Sequence, residues 1–344
     1  MKNLFKYPSF FQLESGQTLS ELNITYSLYG QESAEKTVWV CHALSGSSDV
    51  LEWWPGLFGT DKLFDPAKYR IICANVIGGC YGTSGPKDLE SPLEFPLVTI
   101  KDMVNAHRLL AKELGIQNVD VLIGASLGGQ QALEWAIEDP DFATEIVLIA
   151  TNAFHSPFAR AFNEAQRLAL KADSSFGEQG GGLAGLKSAR AIAMLSYRSY
   201  ADFELKQSDF GSRWDDFNAA SYLRHQGEKF VGRFNPVSYY LLTKAMDSHD
   251  IGRGRGDLST ALNRVKAKTL VVGISSDLLF PLTEQQFIAR HIPNADLAEL
   301  QSVHGHDAFL IEYEKLNAII RDFHLNEFRQ YKTTQLKTKN LILN

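Results

Sequence analysis

The sequence predicts an α/β fold, a mostly parallel sheet flanked by helices with a helical insertion, and three observations carry that prediction. Short apolar, β-branched runs alternate with stretches of helical periodicity through the first part of the chain. Near residue 152 the strand-like runs stop and helix formers and aromatics take over, until strand character returns with "AKTLVVGISSD". Between these, "VLIGASLGGQQA" breaks from an apolar run into a serine wrapped in glycines, at the point where a strand would hand over to a helix.

Each element has a local reason. "TVWVCHA", "YRIICANV", "VDVLIG" and "EIVLIA" are short and apolar on both faces, as strands covered on both sides must be. "TIKDMVNAHRLLAKELGI" and "QQALEWAIEDP" place apolar residues at helical spacing. In the insertion, "FARAFNEAQRLALKA" and "LKSARAIAMLSYRS" read as amphipathic helices. The stretch "SSFGEQGGGLAG" between them is a flexible linker by composition, because it lacks the preceding strand and the following Lys-Ser or Lys-Thr of a phosphate cradle. After "AKTLVVGISSD" come "TEQQFIARHI" as a helix, "ADLAEL" as a strand and "EYEKLNAIIRDFHLNEF" as a closing helix. The expected organisation is a core from 1 to 151, a helical lid insertion from 152 to 253, and the rest of the core from 254 to 344. The tail "YKTTQLKTKNLILN" is expected to be a surface extension or to be poorly tied down.

Composition narrows the function. With 44% hydrophobic residues the chain can bury a large core. A net charge of −6 disfavours non-specific binding to nucleic acid, which needs an excess of basic side chains, and points to small-molecule partners. The three cysteines, Cys41, Cys73 and Cys80, form no C-x-x-C pair and no closed disulfide framework, so a reducing cytosol is the simpler setting. No metal-ligand spacing appears. The N-terminal "MKNLFKYPSFFQLESG" lacks a long apolar stretch and a cleavage site, and no run of about 18 apolar residues exists to span a bilayer. A soluble, cytoplasmic protein with no membrane partner is expected.

The serine in its glycine setting is the first chemical clue. Gly124-Ala125-Ser126-Leu127-Gly128 fits the G-x-S-x-G elbow, in which a strained strand-to-helix turn exposes the hydroxyl. A serine hydroxyl is a weak nucleophile at neutral pH, so it needs a base, and the base needs a group that fixes its tautomer. "VVGISSDLLFP" supplies Asp277 beyond the end of a strand, and "SVHGHDAFL" supplies His306 before the last helix, in the chain order Ser, Asp, His that such elbows require. His304 is a rival base that spacing alone does not separate; His306 is favoured because it adjoins the helix expected to begin near Asp307. For an oxyanion, Leu127 offers one backbone N–H, and the loop "CHALSGSS" offers another from Leu44, with Ala43 as the alternative. His42, at the entrance of that loop, reads as a residue that hydrogen-bonds the loop backbone. Cys80 has no nearby base in sequence and reads as a small hydrophobe.

Several stretches together resemble the homoserine O-acyltransferase family, enzymes of the α/β-hydrolase type that acylate homoserine on the way to methionine. They are "CHALSGSSDV", "WWPGLFG", "FDPAKYRIICANVIGGCYGTSGP", "GASLGGQQALEWAI", "SYRS", "DSHDIGRGRG" and "VHGHDAFL", spread from near residue 41 to past residue 310. The resemblance implies an α/β-hydrolase fold with a helical lid and a ping-pong transfer: Ser126 takes an acyl group from acyl-CoA, and the homoserine hydroxyl collects it. It also implies that Arg198, in "SYRS", holds the homoserine carboxylate and that Asp307 holds the ammonium group. A planar bidentate donor suits a carboxylate. The co-substrate implied is acetyl-CoA or succinyl-CoA with no permanently bound cofactor, and the assembly implied is a homodimer through the lid. The first reading is an acetyl-CoA-dependent homoserine acetyltransferase, but the loop "LSGSSDV" and the stretch "GGCYGTSGP" depart from common family forms, which leaves succinyl-CoA as an alternative donor and serine as an alternative acceptor. Arg253 and Arg255 in "GRGRG" could attract coenzyme A phosphates or could belong to a loop re-entering the core. An esterase and a non-catalytic binding protein are the competing readings, since one fold serves many acceptors.

Overall fold

In the computed structural model, which describes residues 2–325, the central sheet is built from the apolar runs of the sequence and extended by strands the sequence hides better. Its strands are β1 (Lys2–Tyr7), β4 (Leu22–Tyr29), β5 (Lys36–Cys41), β6 (Tyr69–Ala74), β7 (Val119–Ala125), β8 (Ala143–Ile149), β9 (Lys268–Ile274) and β10 (Ala295–Leu300). The short pair β2 (Phe11–Gln12) and β3 (Thr18–Leu19) forms a separate hairpin. The main sheet has the order β1-β4-β6-β5-β7-β8-β9-β10, parallel from β6 to β10, with β4 antiparallel to both its neighbours. β1 and β4 escape a search for apolar runs because neither is continuously covered: β1, at the edge of the sheet, alternates exposed with half-buried residues, and β4 beside it mixes buried with half-buried ones.

The helices are α1 (Val50–Trp53), α2 (Ile100–Glu113) and α3 (Leu127–Glu138), then α4 (Pro157–Lys171), α5 (Leu183–Tyr197), α6 (Tyr200–Gln207), α7 (Asn218–Val231) and α8 (Pro236–Asp247) between β8 and β9. α9 (Leu258–Leu262), α10 (Leu282–His291) and α11 (Tyr313–His324) complete the order. The sheet has an apolar layer on each face: in β5, Trp39 and Cys41 face one cluster with Trp135, while Val38 and Val40 face another with Trp54 and Phe323. Trp39 meets Trp135 edge-on at 5.0 Å, and Trp135 stacks on Phe142 at 4.2 Å. Among the described residues no helix is long and apolar enough to cross a membrane.

The helical segment leaves and rejoins the core at one place. Phe154 and Asp250 form an antiparallel bridge, and Ile251 N–H donates to Ala153 O while His155 N–H donates to His249 O. This neck sits beyond β8, next to the carboxyl ends of β7 and β9. α4 to α8 therefore stand over the edge where an open α/β sheet carries its working groups.

One sequence expectation about this edge needs correction. The residues after His306 do not begin the last helix: Gly305–Leu310 form a 3-10 turn, and α11 starts only at Tyr313. The segment is packed against the insertion at its first residue, Gly305, at φ 67, where an added Cβ would lie 2.7–2.8 Å from the backbone of Tyr197, Arg198 and Ser199. The turn that follows is also held from outside, with Phe309 O accepting from Trp54 Nε1 at 3.0 Å.

Candidate active site

Ser126 occupies the turn between β7 and α3 with φ 56 and ψ −125, a conformation that costs a non-glycine residue of order 1–3 kcal/mol and must be held by its surroundings. Its N–H donates to Ile149 O at 3.0 Å, and its carbonyl accepts from Thr151 Oγ1 at 2.9 Å and from Gln130 N at 3.0 Å. The glycines are there because backbone meets backbone. A Cβ on Gly124 would fall 2.1 Å from Gly128 O, and one on Gly128 would fall 2.0 Å from Cys41 O. The second contact presses the first turn of α3 onto the loop after β5, where Gln131 Nε2 also donates to His42 O at 3.1 Å.

Asp277 follows β9 and His306 follows β10, two and three strands from Ser126 on the same sheet edge. The Asp277 carboxylate is divided between two tasks. Oδ1 accepts from the backbone N–H of Leu279 and Phe280, both at 2.9 Å, which leaves Oδ2 to accept from His306 Nδ1 at 2.7 Å. The imidazole is walled by Phe280, Phe309 and Tyr197 at centroid distances of 5.1, 5.6 and 5.8 Å. Burial opposes its charged form, but the charge and hydrogen bond of Asp277, helped by Asp307, prevail and raise the His306 pKa above its ordinary value. With Nδ1 committed as donor, Nε2 is the nitrogen that can take a proton.

His304 takes a different partner. Its Nδ1 lies 2.6 Å from Asp202 on α6, not near Asp277. Asp202 also meets Lys206 at 2.9 Å and Arg198 at 3.3 Å; burial works against its ionised form, yet these cationic partners together hold its pKa below the usual carboxylate value. Arg198 stands just past α5 in extended backbone, and its Nε is 3.2 Å from Asp307 Oδ2. The Gly305 contact explains this meeting, because it presses the loop that carries His306 and Asp307 against residues 197–199. Asp202 was not singled out from sequence, although its position four residues after Arg198, on a helix of its own, is a spacing at which opposite charges meet.

Leu44 lies in a turn closed by Gly46 N–H donating to Ala43 O at 2.8 Å. His42 spans that turn: Nδ1 is 2.8 Å from Ala43 O, and Nε2 accepts from Val76 N at 3.2 Å. Burial drives its pKa down to about 4, against the Ala43 hydrogen bond, so it stays neutral and keeps that donor and acceptor pattern. Because a peptide is planar with C=O and N–H on opposite sides, fixing Ala43 O from two directions also fixes where Leu44 N–H points.

Arg255 lies buried between Glu134 and Glu138 of α3, and Arg253 meets Glu14 at 3.4 Å, so the "GRGRG" cations serve the loop re-entering the core. Cys80 is a thiol whose pKa burial pushes up, away from reactivity. Near Asp277, burial lifts the Glu284 carboxyl to about 7, with the nearby polar groups of Asn152 and Ser156 opposing and the Asp277 charge assisting.

Comparison with known proteins shows the fold and the family. The family model for the α/β hydrolase fold matches residues 36–312. The homoserine O-acetyltransferase of Cyclobacterium marinum is 43% identical over 335 residues, covering 94% of this chain and 95% of that one. Among solved structures, an acetylester hydrolase from Corynebacterium glutamicum superposes with a TM-score of 0.83 at 25% identity, covering 94% of this chain and 96% of that one. The homoserine O-acetyltransferase of Staphylococcus aureus superposes with a TM-score of 0.77 at 27% identity, covering 94% and 95%.

Proposed function

This chain belongs to the homoserine O-acetyltransferase family of α/β hydrolases, and we propose that it transfers an acetyl group from acetyl-CoA to the hydroxyl of L-homoserine. In the first half-reaction Ser126 Oγ attacks the thioester carbonyl while His306 Nε2 takes its proton. The tetrahedral oxyanion is met by the N–H groups of Leu44 and Leu127, and collapse expels the coenzyme A thiolate, which takes the proton back from His306. In the second, His306 deprotonates the homoserine hydroxyl, which attacks the acetyl-serine and restores Ser126. Asp277 holds the imidazole in the tautomer both halves need.

The observation that carries the transferase reading is the adjacency of His306 and Asp307, one paired with Asp277 and the other with Arg198 at 3.2 Å. Hydrolysis needs only the first pair. An α-amino acid brings a carboxylate and an ammonium one carbon apart, so it can enter the Arg198–Asp307 pair and satisfy both members with its own charges, Arg198 taking the carboxylate and Asp307 the ammonium.

Residues 152–253 act as a lid over this site. Their outer surface supports a homodimer through the lid, because Tyr200, Phe210 and Trp214 are 81%, 95% and 94% exposed on neighbouring stretches. The setting is the cytoplasm, with no permanent cofactor. The similarity to an acetylester hydrolase keeps water as the rival acceptor. Thiol release from acetyl-CoA and from succinyl-CoA, each with homoserine, serine or no acceptor, tests both points. Release from acetyl-CoA that requires homoserine is expected; release independent of any amino acid would make the protein a hydrolase, and a preference for serine or succinyl-CoA would rename acceptor or donor.

A further inference from the structure

We propose that Arg233, in the turn between α7 and α8, is a positioning residue that couples the helical insertion to the oxyanion donor at Leu44; this rests on the oxyanion role given to Leu44 above. Arg233 Nη1 donates to Ser45 O at 2.7 Å and lies 3.1 Å from Tyr81 Oη. Its guanidinium sits 5.0 Å from the Phe230 ring centroid, and Phe234, next along the chain, meets Tyr81 edge-on at 5.8 Å. One side chain of the insertion thus grips the two core loops "CHALSGSS" and "GGCYGTSGP". Among the described residues no carboxylate pairs with it, so its charge is spent on a carbonyl.

That carbonyl begins a relay. Ser45 C=O and Gly46 N–H belong to one peptide, and Gly46 N–H donates to Ala43 O at 2.8 Å. Ala43 C=O and Leu44 N–H belong to the next peptide in the relay, whose N–H is the oxyanion donor. A cation on Ser45 O polarises the first peptide, which makes Gly46 N–H a stronger donor, and this in turn polarises the second. Arg233 therefore both orients the turn and strengthens Leu44 N–H, and it does so only while the insertion is seated on the core. A small cavity lined by His42, Leu44, Gly46, Cys80, Tyr81 and Phe234 lies where these segments converge.

The test compares wild type with Arg233→Gln and Arg233→Lys. Two rates are read: acetyl-enzyme formation from acetyl-CoA, and inactivation by an alkyl p-nitrophenyl phosphonate, whose adduct places a charged oxygen in the oxyanion position. Removing one oxyanion donor outright slows such chemistry by about 10²–10³-fold, so losing its support should slow both rates about 10–100-fold in Arg233→Gln, with homoserine KM within about twofold. Arg233→Lys, which keeps the charge on a shorter donor array, should recover part of both rates, and it carries the comparison if Arg233→Gln melts early. Both rates unchanged, or a change confined to homoserine KM, would overturn the proposal. Phosphonate labelling of Ser126 in the wild type separates the two readings: without it the Leu44 and Ser126 assignments themselves fail, whatever Arg233 does.

Discussion

Two histidine–carboxylate pairs stand two residues apart in the loop after β10, and their lengths are nearly the same: 2.7 Å for His306–Asp277 and 2.6 Å for His304–Asp202. Their surroundings are not. Asp277 is held by two backbone N–H groups of its own loop, and its histidine is enclosed by three aromatic rings. Asp202 belongs to the insertion and is shared with Lys206 and Arg198. A hydrogen-bond length therefore says little about the role of a histidine; what else binds its carboxylate says more. The core fixes one pair through its own backbone, while the other exists only where the insertion docks, as a seam of charges.

The largest expected effect breaks the two pairs apart by mutation. His306→Ala should lower kcat by about 10⁴-fold or more, whereas His304→Ala should cost less than about tenfold, both read by thiol release from acetyl-CoA with homoserine present. An exchange of those results would hand the base role to His304. The next effect sharpens the division between core and insertion. Arg198→Ala should raise homoserine KM about 100-fold, the scale of losing one partner of a buried charged contact, while acetyl-enzyme formation stays within about threefold. Asp202→Asn, which removes the carboxylate that Arg198, Lys206 and His304 share, should raise the same KM about tenfold through looser placement of Arg198. Equal losses in both half-reactions would show that the insertion and the core are not separable in this way.

The backbone-made part of this site was legible in the sequence by itself; of the part made by docking, Arg198 and Asp307 came only through the family resemblance, and Asp202 did not come at all. The elbow could be read because contacts such as Gly124 to Gly128 and Gly128 to Cys41 exclude any side chain, so they leave glycines at fixed spacing. Asp277 could be read because the strand before it, β9, is a short apolar run, and His306 because it falls between the short strand β10 and the closing helix. His304 could not be separated from His306, since the difference lies in Asp202, about a hundred residues earlier and on another layer. The expected helix start at Asp307 failed for a similar reason: the contacts that hold this turn come from residues 197–199 and from Trp54, distant in sequence. β1 and β4 were missed because partly exposed strands at this end of the sheet lack the apolar run that marks the central ones.

The smallest effect is also the most selective. His306 must be neutral to accept a proton, so kcat/KM for acetyl-CoA should fall as pH drops through its pKa in the free enzyme. Burial pulls that pKa down, but Asp277 and then Asp307 lift it above 6.5, so the acidic limb should have its midpoint above 6.5. The raised pKa also sets a sign for stability. The imidazolium–carboxylate pair stabilises the fold fully below the ordinary histidine pKa and loses that contribution as pH rises through the folded value. Asp307→Asn removes a negative charge beside the ring while leaving the 2.7 Å contact to Asp277 in place, so the limb should move to lower pH by less than Asp277→Asn moves it. Asp202→Asn changes a charge facing His304 and should leave the limb where it is, even though both variants weaken the same cluster around Arg198. A rate–pH profile of the acetyl-CoA half-reaction decides it: equal displacement by Asp307→Asn and Asp202→Asn would mean that the two pairs form one electrostatic unit.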